Sequence, residues 1–328
     1  MEADFHRIAL ENGLTILLER RELPLVTTLL AVRLGAGHEP VEVKGIAHYL
    51  EHCVFQGTKT RSSKELSAAV EKRGGVLNGF TDEEITAFWI KLSSKYLELS
   101  IDLLGDMLTN PAFEDQKIEK EKNVVLEEVK MYHDDPRTYT IGKVKSLLYE
   151  PPFGMDIVGT EETVKSISKS SLLEFFGRYN NPVLCVVGKA DPEEVVEFSK
   201  RFLHVKPAPK PELRVKKTRG EKVERREKLK QAHIALAFYI PTLRERGRYA
   251  LQSFNAILAG GASSRLFQEI RDKRGLAYEV SVHPEVGLSY GYDVFYVGTD
   301  PKYVKEVKEL MLKEIKACLL YTSPSPRD

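Results

Sequence analysis

The first ten residues and Gly13-Leu14-Thr15-Ile16-Leu17-Leu18 pattern as two strands, turned at Glu11-Asn12-Gly13 into a hairpin. Val26 to Leu34 is a β-branched apolar run closed by Gly35-Ala36-Gly37, which predicts a buried strand. Gly45 opens a predicted helix through Phe55, and Ser63 caps a second one that ends at Gly74-Gly75. Two strands follow, Val76 to Phe80 and Ile85 to Leu92, then an amphipathic helix from Leu97 to Leu108 with Pro111 stopping the chain beyond it. A long charged helix is predicted from Glu114 to Tyr132, ending before Asp134-Asp135-Pro136. Helices over Thr140 to Tyr149, Ser171 to Tyr179 and Glu193 to Phe202, with a buried strand from Val183 to Val187, complete this half.

From Lys206 to Lys230 the composition changes to 11 Lys/Arg against 4 Asp/Glu with three prolines, which reads as a solvated linker. The pattern then repeats. Phe88-Trp89-Ile90-Lys91-Leu92-Ser93-Ser94-Lys95-Tyr96-Leu97 shares its aromatic, aliphatic and Lys-Tyr placing with Phe295-Tyr296-Val297-Gly298-Thr299-Asp300-Pro301-Lys302-Tyr303-Val304. Upstream of each, a helix closes on a turn, at Lys72-Arg73-Gly74 and again at Lys273-Arg274-Gly275. The expected fold is therefore α+β, with a duplicated domain whose second copy is incomplete. Residues 1–210 form the first domain, 211–221 the linker and 222–317 the partial second copy. The last stretch, 318–328, lacks helical period and resembles a translated sequencing adapter, so it reads as a non-native tail.

With 42% hydrophobic and 30% charged residues, the composition is that of a folded globular chain. Lys and Arg balance Asp and Glu to a net charge of +1, which gives no long-range pull on a polyanion and argues against a nucleic-acid partner. Three cysteines without metal or redox spacing exclude a disulfide scaffold. The acidic N-terminus has no apolar signal region and no apolar run reaches about 18 residues, so the expectation is a cytoplasmic protein without a membrane partner.

His48-Tyr49-Leu50-Glu51-His52 carries the candidate chemistry. On a helix, positions i and i+4 share a face, so both imidazoles reach one ion, and Glu51 lies on that face too. Neutral imidazole and carboxylate suit zinc, and a catalytic zinc keeps one position open. The His-x-x-Glu-His order inverts the commoner zinc-peptidase motif. The third ligand must come from elsewhere, and the long helix offers Glu121 and Glu128 on one stripe with Val125, about two turns apart. Glu127 points about 100° away and fits less well.

The run Gly45 to Thr58 resembles the signature of the pitrilysin (M16) metallopeptidases, nearest to the mitochondrial processing peptidase branch and its bacterial and archaeal relatives. The resemblance implies Glu128 as third ligand beside His48 and His52, one Zn2+ per chain, Glu51 as general base and acid, and Glu121 behind a ligand. It also implies that Gly75 to Thr81 is an edge strand binding extended substrate through Asn78, Gly79 and Phe80, with Gly79 standing where Ala is usual. Arg271 and Tyr278 match the family's substrate-contacting pair, and Gly260 to Phe267 its glycine-rich loop. The implied activity is endopeptidase cleavage of unfolded or short peptides within a clamshell of two related halves. A homodimer or a heterodimer with another M16 subunit is implied for the full-length protein. A non-catalytic peptide-binding M16 subunit, or an inert fragment of an active enzyme, are the alternatives. Cys53 reads as core, and His133, His204, His233 and His283 lie off the constellation.

Overall fold

The computed structural model describes residues 4–227 and 229–320, and among these the packing divides into two compact units. One joins Met1–Lys130 to Met155–Arg214, the other joins Met131–Gly154 to Val215–Asp328.

The first unit is built on a six-stranded sheet of order β1-β2-β6-β3-β5-β4. Its strands are β1 (Asp4–Ala9), β2 (Thr15–Arg20), β3 (Leu25–Val32), β4 (Val76–Thr81), β5 (Thr86–Ser93) and β6 (Val183–Gly188). All neighbours pair antiparallel except β2 with β6. The register aligns Ile16 with Leu184, Leu184 with Leu30, Leu30 with Phe88, and Phe88 with Gly79. Because side chains alternate along a strand, this row sets one face of the sheet, and Ile16, Leu184, Leu30 and Phe88 are all buried in the core. Leu77, Gly79 and Thr81 share that inner face on β4, while Val76, Asn78 and Phe80 are exposed. Among the described strands β4 ends the sheet, pairing with β5 alone, as the family resemblance implied.

Helices α1 (Ile46–Val54), α2 (Ser63–Glu71), α3 (Leu97–Thr109), α4 (Asp115–Asp134), α5 (Pro136–Leu148), α7 (Lys169–Phe176) and α8 (Pro192–Phe202) match expected helices, while the short α6 (Glu161–Ser166) was not expected. Ser62, not Ser63, caps α2, because its hydroxyl accepts the Glu65 N–H while the Glu65 carboxylate returns to the Ser62 N–H at 2.8 Å.

The second unit carries a three-stranded sheet, β7 (Ala232–Tyr239), β9 (Gly291–Thr299) and β8 (Ala277–Val286), in that order. Helices α9 (Arg248–Ala259) and α10 (Val304–Leu319) share one apolar core with Phe295 and Val297 of β9. The duplication is visible. Strand β5, a single helical turn over Ser94–Tyr96 and α3 correspond to β9, a turn over Pro301–Tyr303 and α10.

The contiguous division at residue 210 is not the one that packing draws. Helix α5 packs on β7 and β9, its Arg137 guanidinium donates to Glu279 of β8 at 2.6 Å, and the hydroxyl of Tyr149, the residue after the helix, donates to the Gly291 carbonyl of β9 at 3.2 Å. The expected linker is also fastened from its middle onward. Lys217 bridges Tyr149, and the Thr218 N–H donates to the Leu148 carbonyl at 2.7 Å. These are backbone pairings, which composition does not reveal. Of the expected non-native tail, Cys318 and Leu319 continue α10, and residues 321–328 lie outside the described residues. No described helix is long and apolar enough to cross a membrane.

The entry to α1 holds a fully buried ion pair. Lys44 Nζ lies 3.0 Å from Glu39 Oε2 and donates to the Ala36 carbonyl at 2.6 Å. The Glu39 carboxylate accepts the N–H groups of Gly45 at 3.0 Å and Ala47 at 2.6 Å, satisfying donors that the first helical turn leaves unpaired. Gly45 sits at φ +99°, and a Cβ there would meet the Val158 carbonyl at 2.7 Å, so only glycine fits the entry. Lys44→Met strands a buried carboxylate and is expected to lower the unfolding free energy by about 3–5 kcal/mol in urea denaturation. A loss under about 1 kcal/mol would show that the pair does not hold the helix entry.

Candidate metal centre

Helix α1 presents His48, Glu51 and His52 toward α4 and the inner face of β4. Three contacts fix it there. The Tyr49 hydroxyl donates to the Ile118 carbonyl of α4 at 2.6 Å, His52 Nδ1 lies 3.4 Å from Glu121 Oε2, and the Thr81 hydroxyl donates to Glu51 Oε2 at 2.6 Å. On α4, Glu121 and Val125 are buried on the stripe that continues to Glu128.

His48 Nε2 lies 3.6 Å and His52 Nε2 3.5 Å from the same oxygen, Glu128 Oε2. These separations are long for N–H···O bonds. They match two donors about 2.0–2.1 Å from one tetrahedral ion, whose edges are about 3.3–3.4 Å. His48, His52 and Glu128 are the candidate metal-ligating cluster among the described residues, each offering an atom within 4.8 Å of the others. Glu127 points outward, 73% exposed and paired with Lys130 at 2.7 Å.

The electrostatics suit a cation. Burial pushes the His48 imidazole down to about 4, although Glu128 opposes the shift, so the ring is neutral and keeps a lone pair for a metal. Burial also pulls His52 down, but the Glu128 and Glu121 carboxylates outweigh it and raise the ring. The contact from His52 holds Glu128 below the usual carboxylate range against its own burial. The contact of His52 Nδ1 with Glu121 leaves Nε2 facing Glu128, the arrangement by which a carboxylate orients a histidine ligand. Two imidazoles and one carboxylate therefore fit zinc and leave its fourth position open. Burial raises the Glu51 carboxyl, with the Thr81 hydroxyl pulling the other way.

Of the residues implied on the edge strand, Gly79 faces Glu51, whereas Asn78 and Phe80 are exposed on the opposite face. In the second unit, Arg271 and Tyr278 come together. The Arg271 guanidinium donates to the Tyr278 carbonyl at 2.9 Å and stacks 4.4 Å over its ring. Arg271 stands on a π-helical turn, Phe267–Asp272, and Tyr278 falls at the register break between Ala277 and Glu279, which leaves it 77% exposed. Such bulges re-aim side chains. Cys53 is buried, its thiol pushed up to about 12 by burial, and belongs to the core of α1.

Sequence reasoning missed Glu39, Lys44 and Thr81. For the first two there was no signal, since a charge between Pro and Gly residues reads as loop. Thr81 had one, because it falls two positions after Gly79 on the same strand face.

The family model described as Insulinase (Peptidase family M16) matches residues 15–161, and that described as Peptidase M16 inactive domain matches 166–320. An uncharacterised zinc protease of Bacillus subtilis, YmxG, is 33% identical over 311 residues, spanning 92% of this chain and 76% of its own. The chain belongs to peptidase family M16. An uncharacterised zinc protease of Rickettsia felis is 31% identical over 325 residues, spanning 96% of this chain and 77% of its own. The fold is also that of a protease from Helicobacter pylori, with a TM-score of 0.88 over 95% of this chain and 80% of that one at 23% identity. In this M16 chain the inverted motif and the two helices meet within the stretch matched by the first family model.

Glu128→Gln is expected to weaken zinc binding far more than Glu127→Gln, and Glu121→Gln to weaken it about 10–100-fold. Competition with a chromophoric chelator at fixed pH measures all three. Equal weakening at 127 and 128 would overturn the helix-face assignment.

Proposed function

We propose that this M16 chain is a zinc-dependent endopeptidase acting on unfolded or short peptides. The observation that carries the reading is a carboxylate, Glu51, lying beside the ligand trio yet bonded away from it to Thr81. His48, His52 and Glu128 would hold one zinc, with Glu121 fixing the His52 ring. When bound, zinc supplies Lewis acidity for the scissile carbonyl and for water. Glu51 accepts the proton of the attacking water at its carboxylate and passes it to the leaving amine.

Strand β4, with Asn78, Gly79 and Phe80, offers its backbone to an extended peptide, which gives affinity without strict sequence choice and excludes folded substrates. Arg271 and Tyr278 are the proposed contacts for substrate backbone and developing oxyanion. In this reading the protein is cytoplasmic and, when full length, pairs as a homodimer or with another M16 subunit. Nucleic acid and membrane play no part.

Glu51→Gln is expected to keep its zinc while losing about 10²–10⁴-fold of turnover on a quenched, unstructured peptide. Zinc content by elemental analysis and initial rates measure both. Loss of the metal, or turnover equal to the parent, would remove Glu51 from its role.

A further inference from the structure

We propose that Thr81 is a positioning residue for Glu51, so that the strand receiving an extended peptide also aims the group that moves the proton. The proposal rests on the proteolytic reading above and adds to it a physical link between the sheet edge and the chemistry.

The link starts from alternation. On β4, Gly79 and Thr81 face inward, two residues apart, and both meet the Glu51 carboxylate. Thr81 takes one oxygen: its hydroxyl donates to Oε2 at 2.6 Å, within the short range of bonds to a charged acceptor. Gly79 faces the other: a Cβ built there would stand 3.1 Å from Oε1, so its absence leaves that oxygen room. Glu51 is only 8% exposed, and water has little access to compete for its orientation. The two strand residues thus distinguish the oxygens, one tethered and one with space beside it.

Thr81 is itself held in place. Being β-branched, it has few side-chain rotamers in a strand. Its strand partner Thr86 is buried and donates to the Leu34 carbonyl at 2.9 Å. The turn beyond is pinned by Ala36 N–H to the Asp82 carbonyl and by Gly37 N–H to the Glu83 carbonyl, both at 2.9 Å. The Ala36 carbonyl in turn accepts from Lys44 at the entry of α1. The helix that carries Glu51 and the strand end that carries Thr81 are therefore braced against one segment, and the hydroxyl closes the circuit.

The test uses the full chain with Thr81→Val, which keeps shape and removes the hydroxyl, and Thr81→Ser, which restores it. On zinc-loaded protein, Thr81→Val is expected to lower kcat on a quenched peptide about tenfold, with KM within about twofold and zinc content unchanged. Thr81→Ser should recover most of kcat, and Thr81→Val should add nothing in the Glu51→Gln background. A second readout needs no activity: urea unfolding of the metal-free protein. Thr81→Val should lower the folding constant about tenfold in the parent and less than about twofold when Glu51 is already Ala. Undiminished kcat in Thr81→Val, no rescue by Ser, or additive unfolding effects would each overturn the assignment. If the zinc-loaded parent cleaves no peptide, the proteolytic reading falls. The unfolding cycle then decides the Thr81–Glu51 link by itself, coupling supporting it and additivity overturning it.

Discussion

The Glu39 carboxylate, enclosed with the Lys44 ammonium, accepts the N–H groups of Gly45 and Ala47 and so completes the first turn of α1. That helix has only nine residues, fewer than the roughly 12–15 at which isolated helices become even marginal in water. It carries His48, Glu51 and His52, and any fraying would scatter all three. A carboxylate at a helix N-terminus also meets the positive end of the helix dipole, which helps offset the burial of its charge. Without this cap, the later contacts of α1 with Ile118, Glu121 and Thr81 would have no fixed helix to act on.

The metal face is accordingly assembled from elements of different rigidity. Two histidines one helical turn apart are set by α1 alone. Their meeting with Glu128 depends on α4 lying across α1, which the Tyr49 hydroxyl and the Ile118 carbonyl secure. Glu51 depends on a third element, the edge strand. In the proposed mechanism the first two arrangements would bind the ion and the third would move the proton, so separate packing contacts would govern the two.

The second unit shows how a repeated pattern diverges. The strand, single turn and helix of β5 and α3 recur as β9 and α10, yet no counterpart of the inverted motif accompanies them. Elsewhere in this unit, a π-helical turn and a strand irregularity bring Arg271 and Tyr278 into contact. Both features are local departures from regular backbone, and hydrophobic period carries no trace of them. The assignment of α5 to this unit was equally hidden. Its charged and small residues blur the periodicity that would mark a buried face, and the contacts that commit it, Arg137 to Glu279 and Tyr149 to Gly291, lie some 140 residues away in the chain.

What the sequence determined by itself was everything with a short repeat distance. The period of two in the strands and of 3.6 in the helices gave the elements, and His48, Glu51 and His52 fell on one helical face because their spacing allows nothing else. The seven-residue interval between Glu121 and Glu128 likewise set their common stripe, though the family resemblance was needed to choose between them. The tertiary structure set Glu128 against both imidazoles and β4 at the end of the sheet, which without the resemblance no spacing would have given, and it alone decided which oxygen of Glu51 is tethered. Each of those depends on contacts between residues tens of positions apart, where chain connectivity imposes no geometry and packing alone selects the partner.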